Sequence, residues 1–143
     1  MRGAPTSGIC ERTGAVRSQQ ASCPISAYSP HIQLPSVENP AHAAYVDTVF
    51  AAIDHSGEAR GHGLELRDTK LIIFGSPTGG TPVMQASPLA ALDLPLKVLV
   101  WDDGGQTKVS YTDPDALAVR HHLSSELASR LAGIGPLTDA VVG

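Results

Sequence analysis

The most constraining stretch of the chain is Asp102-Asp103-Gly104-Gly105, set between two runs of strand-forming residues, Lys97 to Trp101 and Thr107 to Tyr111. Acidic residues followed by paired glycines supply the positive φ angles of a tight hairpin turn, so the two runs must pair antiparallel. Upstream, Lys70-Leu71-Ile72-Ile73-Phe74 is a continuous apolar run closed by Gly75. Such a run predicts a central strand buried on both faces. Tyr45 to Ile53 is β-branched and aromatic enough for another strand, ended by Asp54.

Helices are expected between these strands. Asp54 is placed to cap a short helix over Ser56 to His62, which ends at Gly61 or Gly63. Thr81 followed by Pro82 predicts a helix running to about Leu92 and interrupted at Pro88, with Ser76 to Gly80 as the loop before it. Asp93-Leu94-Pro95 turns the chain. Asp113-Pro114 opens a further helix with Leu117 and His121 on one face, and Ser124 or Ser125 begins the last, along which Leu127, Leu131 and Ile134 recur at helical spacing. The expected fold class is α+β, a small sheet including an antiparallel hairpin with helices packed on one face.

Residues 1–44 read differently, since Pro5, Pro24, Pro30, Pro35 and Pro40 interrupt them and no apolar period emerges. They are expected to be disordered or poorly matched to a fold, with the domain running over 45–143. Three arginines and only two acids there give a faint likeness to a targeting peptide, but no amphipathic face survives the prolines.

Composition narrows the function classes. A net charge of −4 without a run of Lys or Arg excludes a phosphate-tracking surface, so no nucleic-acid partner is expected. No apolar stretch approaches a bilayer span, so no membrane partner is expected either. Cys10 and Cys23 lack the spacing of a redox pair or a zinc knuckle and read as free thiols of the cytoplasm. Aromatic residues make up 4% of the chain against 42% hydrophobic, so the core must be aliphatic. Met84 and Trp101 are assigned to it.

Four stretches, taken together, resemble the domain of unknown function 302 family over about Val49 to Leu123. They are Ile53-Asp54-His55-Ser56; Phe74-Gly75-Ser76-Pro77 continued by Gly80-Thr81-Pro82-Val83-Met84-Gln85; Asp93-Leu94-Pro95-Leu96-Lys97; and Tyr111 to Pro114 with Arg120-His121. The resemblance implies a small α/β fold and no reaction. The chain departs from the family in carrying Ser76 where asparagine is usual, and in that residues 1–44 show no long helix before the strand that ends in Ile53-Asp54-His55.

The chemistry on offer is modest. Gly75-Ser76-Pro77-Thr78-Gly79-Gly80-Thr81 has the glycine spacing of a phosphate loop without its lysine, so nucleotide chemistry falls away and only backbone N–H groups at a helix start remain to receive an anion. Asp54 and His55 follow a strand, where a carboxylate and an imidazole can grip a ligand or exchange a proton; capping explains Asp54 equally well. His55, His62, His121 and His122, with Asp102 and Asp103, fit no metal-ligand spacing, and no cofactor or metal is expected. The expectation is therefore a small, anionic ligand held by Asp54, His55, Ser76, Gly79, Gly80 and Thr81, bound more tightly below about pH 6.5 as His55 gains charge. An acid–base enzyme using Asp54 and His55, and a homodimer with a structural or interaction role, are the alternatives.

Overall fold

The computed structural model describes residues 11–21, 25, 48–135 and 138. The described residues form a six-stranded antiparallel sheet with helices, an α+β architecture. In chain order the elements are β1 (Glu11–Thr13), β2 (Val16–Gln20), β3 (Thr48–Asp54), α1 (His55–Gly61), β4 (Thr69–Gly75) and α2 (Pro77–Ala86). A 3₁₀ turn (Pro88–Leu92), β5 (Leu96–Asp103), β6 (Gln106–Thr112), α3 (Pro114–Arg120) and α4 (Ser125–Ser129) follow. Across the sheet the order is β1-β2-β6-β5-β4-β3.

The β5–β6 hairpin is the one expected. Gly104 and Gly105 take φ angles of 64° and 92°, and the Gly105 N–H donates to Asp102 Oδ1 at 2.9 Å. In register, Val100 faces Val109 and Asp103 faces Gln106. Alternation then sends Ile72, Phe74, Leu96, Val98, Val100, Val109 and Tyr111 to one face, where they form the core with Ile134. Val83, Ala90, Leu117 and Leu131 form a second cluster, and Leu96 packs against both. The sheet face and the helical layer meet across that residue.

Several expectations need correction. β4 lies inside the sheet, but only Phe74 along it is buried; Leu71 and Ile73 stay partly exposed on the face opposite the core, so the strand is not buried on both faces. Trp101 shares that opposite face in register, with its Nε1–H donating to Ser110 Oγ at 2.9 Å and the Lys108 ammonium 5.9 Å from its ring. It is therefore not a core residue. The expected strand from Tyr45 is seen from Thr48, and residues 45–47 lie outside the described residues.

The largest correction concerns the N-terminal segment. Residues 11–20 are not disordered: β2 pairs with β6 from Val16 opposite Thr112 to Gln20 opposite Lys108, and β1 pairs with β2. Arg17 Nε donates to Asp113 Oδ2 at 2.9 Å, and the Asp113 N–H donates to the Ala15 carbonyl at 2.7 Å. Asp113 is 1% exposed and caps α3 by accepting from the Asp115 N–H, so the segment is tied to the helix start as well as to the sheet. Both cysteines fall outside the described residues.

Candidate functional site

Asp54 ends β3 and caps α1, its Oδ1 accepting from the Gly57 N–H at 2.9 Å and from Ser56 Oγ at 2.7 Å. Buried Ser56 in turn accepts from the Thr69 N–H at 3.2 Å, which fastens α1 to β4. The Ser56 hydroxyl first, then the Gly57 amide and the charges of Lys70 and Arg60, hold the Asp54 carboxyl below its ordinary value against a smaller opposing effect of burial. A carboxylate held this way is a weak proton acceptor. His55 is exposed at the start of α1.

The second predicted element begins elsewhere. Asp54 pairs with Lys70 at the start of β4, whereas Ser76 follows Gly75 at its end, about 17 Å away at ordinary strand rise. The structure therefore places Asp54 and His55 at one end of β4 and Ser76, Gly79, Gly80 and Thr81 beyond the other, and does not bring the six together. The expected strengthening of binding through His55 loses its basis with that separation.

The loop expected over 76–80 is also helical. Ser76, not Thr81, is the N-cap; Pro77 takes the first helical position and Pro82 lies inside α2. Either proline is compatible with a helix start, so local chemistry alone leaves the register open. The Ser76 carbonyl accepts from the Gly79 and Gly80 amides at 3.1 and 2.9 Å. Pro82 has no N–H to give the Thr78 carbonyl four residues back, and that carbonyl instead accepts from an Arg130 guanidinium nitrogen at 3.5 Å. A borrowed donor from α4 thus offsets the interior proline. Ser76 Oγ, rather than capping α2, shares a 2.7 Å hydrogen bond with Thr78 Oγ1.

Between the first turn of α2, the Leu94-Pro95-Leu96 approach to β5 and the segment Glu126 to Leu131 lies a cavity of about 460 Å³. Ser76, Gly79 and Gly80 line it; Asp54, His55 and Thr81 do not. A Cβ on Gly79 would lie 3.7 Å from Ser76 Cβ and 4.0 Å from the Arg130 carbonyl, marking a polar side. A Cβ on Gly80 would lie 3.9 Å from Met84 Cε and 4.0 Å from Leu94 Cδ1, marking an apolar one. Phe50 reaches the rim from an irregularity in β3 between Val49 and Ala51, and its ring and Pro95 both lie against Gly75. Met84 is thus a wall of this cavity and not part of either core cluster.

Sequence reasoning did not find Phe50, Leu94, Pro95, Leu131, Glu126 or Arg130 as site residues. The i, i+4 spacing of Glu126 and Arg130 was the available signal, but nothing local ties that pair to α2.

Beside the cavity, two of the sequence stretches meet. The Asp93 carboxylate accepts from Arg120 through both oxygens at 3.1 Å and lies 2.6 Å from His121 Nε2. This joins the end of α3 to the turn preceding β5, while Lys97 Nζ donates to the Asp93 and Pro95 carbonyls. Burial acts most strongly on the Asp93 carboxyl and tends to raise it, but the His121 and Arg120 hydrogen bonds and charges together hold it below its ordinary value. Among the described residues no group of three or more His, Cys, Asp or Glu side chains is arranged to hold a metal.

These two lowered carboxyls set an acid limit. A carboxyl whose folded value lies below its unfolded one contributes stability that is fully present above the unfolded value, here near 3.8, and is lost as pH falls through the folded one. Urea midpoints measured from pH 7 to pH 2.5 should therefore fall below about pH 4. Asp93→Asn should start lower at neutral pH and fall less steeply; superimposed curves for the two proteins would show that the Asp93 contacts contribute nothing.

Comparison with known proteins agrees with this architecture. A family model described as "Domain of unknown function DUF302" matches residues 42–135. A crystal structure of an uncharacterized conserved DUF302 protein from Bacillus stearothermophilus superposes with a TM-score of 0.69 at 17% identity, covering 90% of this chain and 97% of that one, which shows the shared fold. Two curated relatives are named Fluoride-specific ion channel FluC 1. The one from Brucella suis biovar 1 (strain 1330) is 42% identical over 100 residues, covering 66% of this chain and 39% of that protein. The one from Brucella abortus biovar 1 (strain 9-941) is likewise 42% identical over 100 residues, covering 66% and 37%. The chain spans about two fifths of the length of these relatives, and among the described residues no helix is long and apolar enough to cross a membrane. With the family model spanning well over half its length, the chain belongs to the DUF302 family.

Proposed function

We propose that this chain is a small-molecule binding module whose site is the cleft at the start of α2, and that its ligand is partly apolar and bears an anionic group. The observation that supports this reading is the cavity itself. Its volume of about 460 Å³ falls in the range typical of ligand pockets. Apolar walls from Met84, Leu94 and Leu131 adjoin the hydroxyls of Ser76 and Thr78 and the Arg130 cation. An apolar enclosure with a few polar groups on one side is the usual make-up of such sites.

The acid–base alternative has less behind it. Asp54 is engaged as a cap and held ionised, His55 is exposed, and neither touches the cavity. A homodimer with a purely structural role would leave the cleft idle. The channel name of the Brucella proteins covers chains much longer than the matched segment, and we carry no channel activity to this domain.

The test is an amide NMR titration of the full chain with propanoate and with inorganic phosphate. Saturable shifts are expected at Gly79, Gly80 and Leu131, and they should persist unchanged in His55→Ala. Shifts confined to the start of α1, or absent from α2 and Leu131, would sink the assignment.

A further inference from the structure

We propose that the ligand of this cleft is a zwitterion with an apolar side chain, the chemistry of a free α-amino acid. The inference rests on the cleft being a binding site and concerns what two opposite charges on its rim are for.

Glu126 and Arg130 both line the cavity, on and just after α4. A glutamate four residues before an arginine is the spacing and order that ordinarily pairs on a helix. Here the two charges do not pair. Among the described residues the Glu126 carboxylate has neither an ion pair nor a hydrogen bond, and the Arg130 guanidinium makes only its 3.5 Å contact with the Thr78 carbonyl. That contact turns Arg130 toward α2, so one cation and one carboxylate border the same opening without neutralising each other.

A simple carboxylate placed against Arg130 would also have Glu126 nearby, and a simple amine would meet the reverse conflict. A molecule carrying both an ammonium and a carboxylate satisfies both, with the Ser76 and Thr78 hydroxyls beside Arg130 as further partners for its carboxylate. The remainder of the ligand lies along Met84 and Leu94, where Gly80 contributes no side chain. Phe50 adds an aromatic ring and Met84 a polarisable thioether, so an aromatic or branched side chain suits this wall.

Three probes with one skeleton separate the possibilities: L-phenylalanine, 3-phenylpropanoate, which lacks the amine, and 2-phenylethylamine, which lacks the carboxylate. Calorimetric titration of the full chain should show L-phenylalanine binding about ten-fold more tightly than either of the others, one charge contact's worth in each case. Glu126→Gln should weaken L-phenylalanine by about the same ten-fold factor and leave 3-phenylpropanoate unweakened. Arg130→Gln should weaken L-phenylalanine and spare 2-phenylethylamine. Both side chains are exposed, so Glu126→Gln should melt with the parent, while Arg130→Gln, which gives up the long contact with the Thr78 carbonyl, should melt slightly below it and stay folded. If 3-phenylpropanoate binds as well as the amino acid, or Glu126→Gln changes nothing, the zwitterion assignment is overturned while the cleft keeps its role as a binding site. If none of the three binds and the Gly79 and Gly80 amides also ignore propanoate and phosphate, both readings fall together.

Discussion

Arg17→Met is expected to lower the unfolding free energy by about 3 kcal/mol, the low end of the cost of breaking a buried ion pair. Asp113 is almost fully buried, and its charge is met by Arg17 Nε at 2.9 Å, with the other oxygen occupied by the Asp115 amide. Arg17 is itself 35% exposed, which lets water compensate part of the loss and sets the figure at the low end. Adding Asp113→Asn should restore much of the stability, because asparagine keeps the helix cap while removing the buried charge that Arg17 faces. Denaturant titrations of the single and double variants check this, and no recovery in the double variant would mean that Arg17 acts through packing alone. Deleting residues 1–44 removes β2, its five register pairs with β6 and Arg17 together. The shortened chain is expected to lose its cooperative transition, and a melting temperature equal to that of the full chain would refute the structural role given to this segment.

That segment shows why part of the fold was illegible. Glu11 to Gln20 is polar almost throughout, as befits an edge strand and its neighbour, and a polar strand has little apolar period to read. Its place depends on β6, some ninety residues away in sequence: Ser18 Oγ meets Ser110 Oγ at 2.7 Å across 92 positions. What was legible was local. The Gly104-Gly105 turn and the caps at Asp54, Asp113 and Ser124 each rest on a few adjacent residues whose preferences agree with one another. The start of α2 failed for the opposite reason, since Pro77 and Pro82 are equally good local signals and only Arg130, reaching over from α4, supports the register with Pro82 inside. The cavity had no local signal at all. It is assembled from β3, α2, the approach to β5 and the end of α4, and of its residues only those in the glycine stretch could be proposed from sequence.

Gly80→Leu should separate binding from stability most sharply. Gly80 is helical without a positive φ, and a Cβ there would meet Met84 Cε and Leu94 Cδ1 only at ordinary contact distances, so the fold does not require glycine. Leucine is favoured over glycine in a helix interior by about 0.8 kcal/mol, and its side chain would cover apolar surface of Met84 and Leu94 that the cavity leaves open. The variant should therefore melt at the parent temperature or a few degrees above it. Binding should move the other way, because the new side chain occupies the apolar part of the cleft; a loss of at least about a hundred-fold is expected for any ligand that needs that space. Gly80→Ala, which adds only the methyl group, should give an intermediate loss and so report whether the effect grades with filled volume. A well-folded Gly80→Leu protein that binds as the parent does would place the site outside this cleft, whereas lost binding with a raised melting point would mean that the glycine keeps the cavity open at the expense of helix stability.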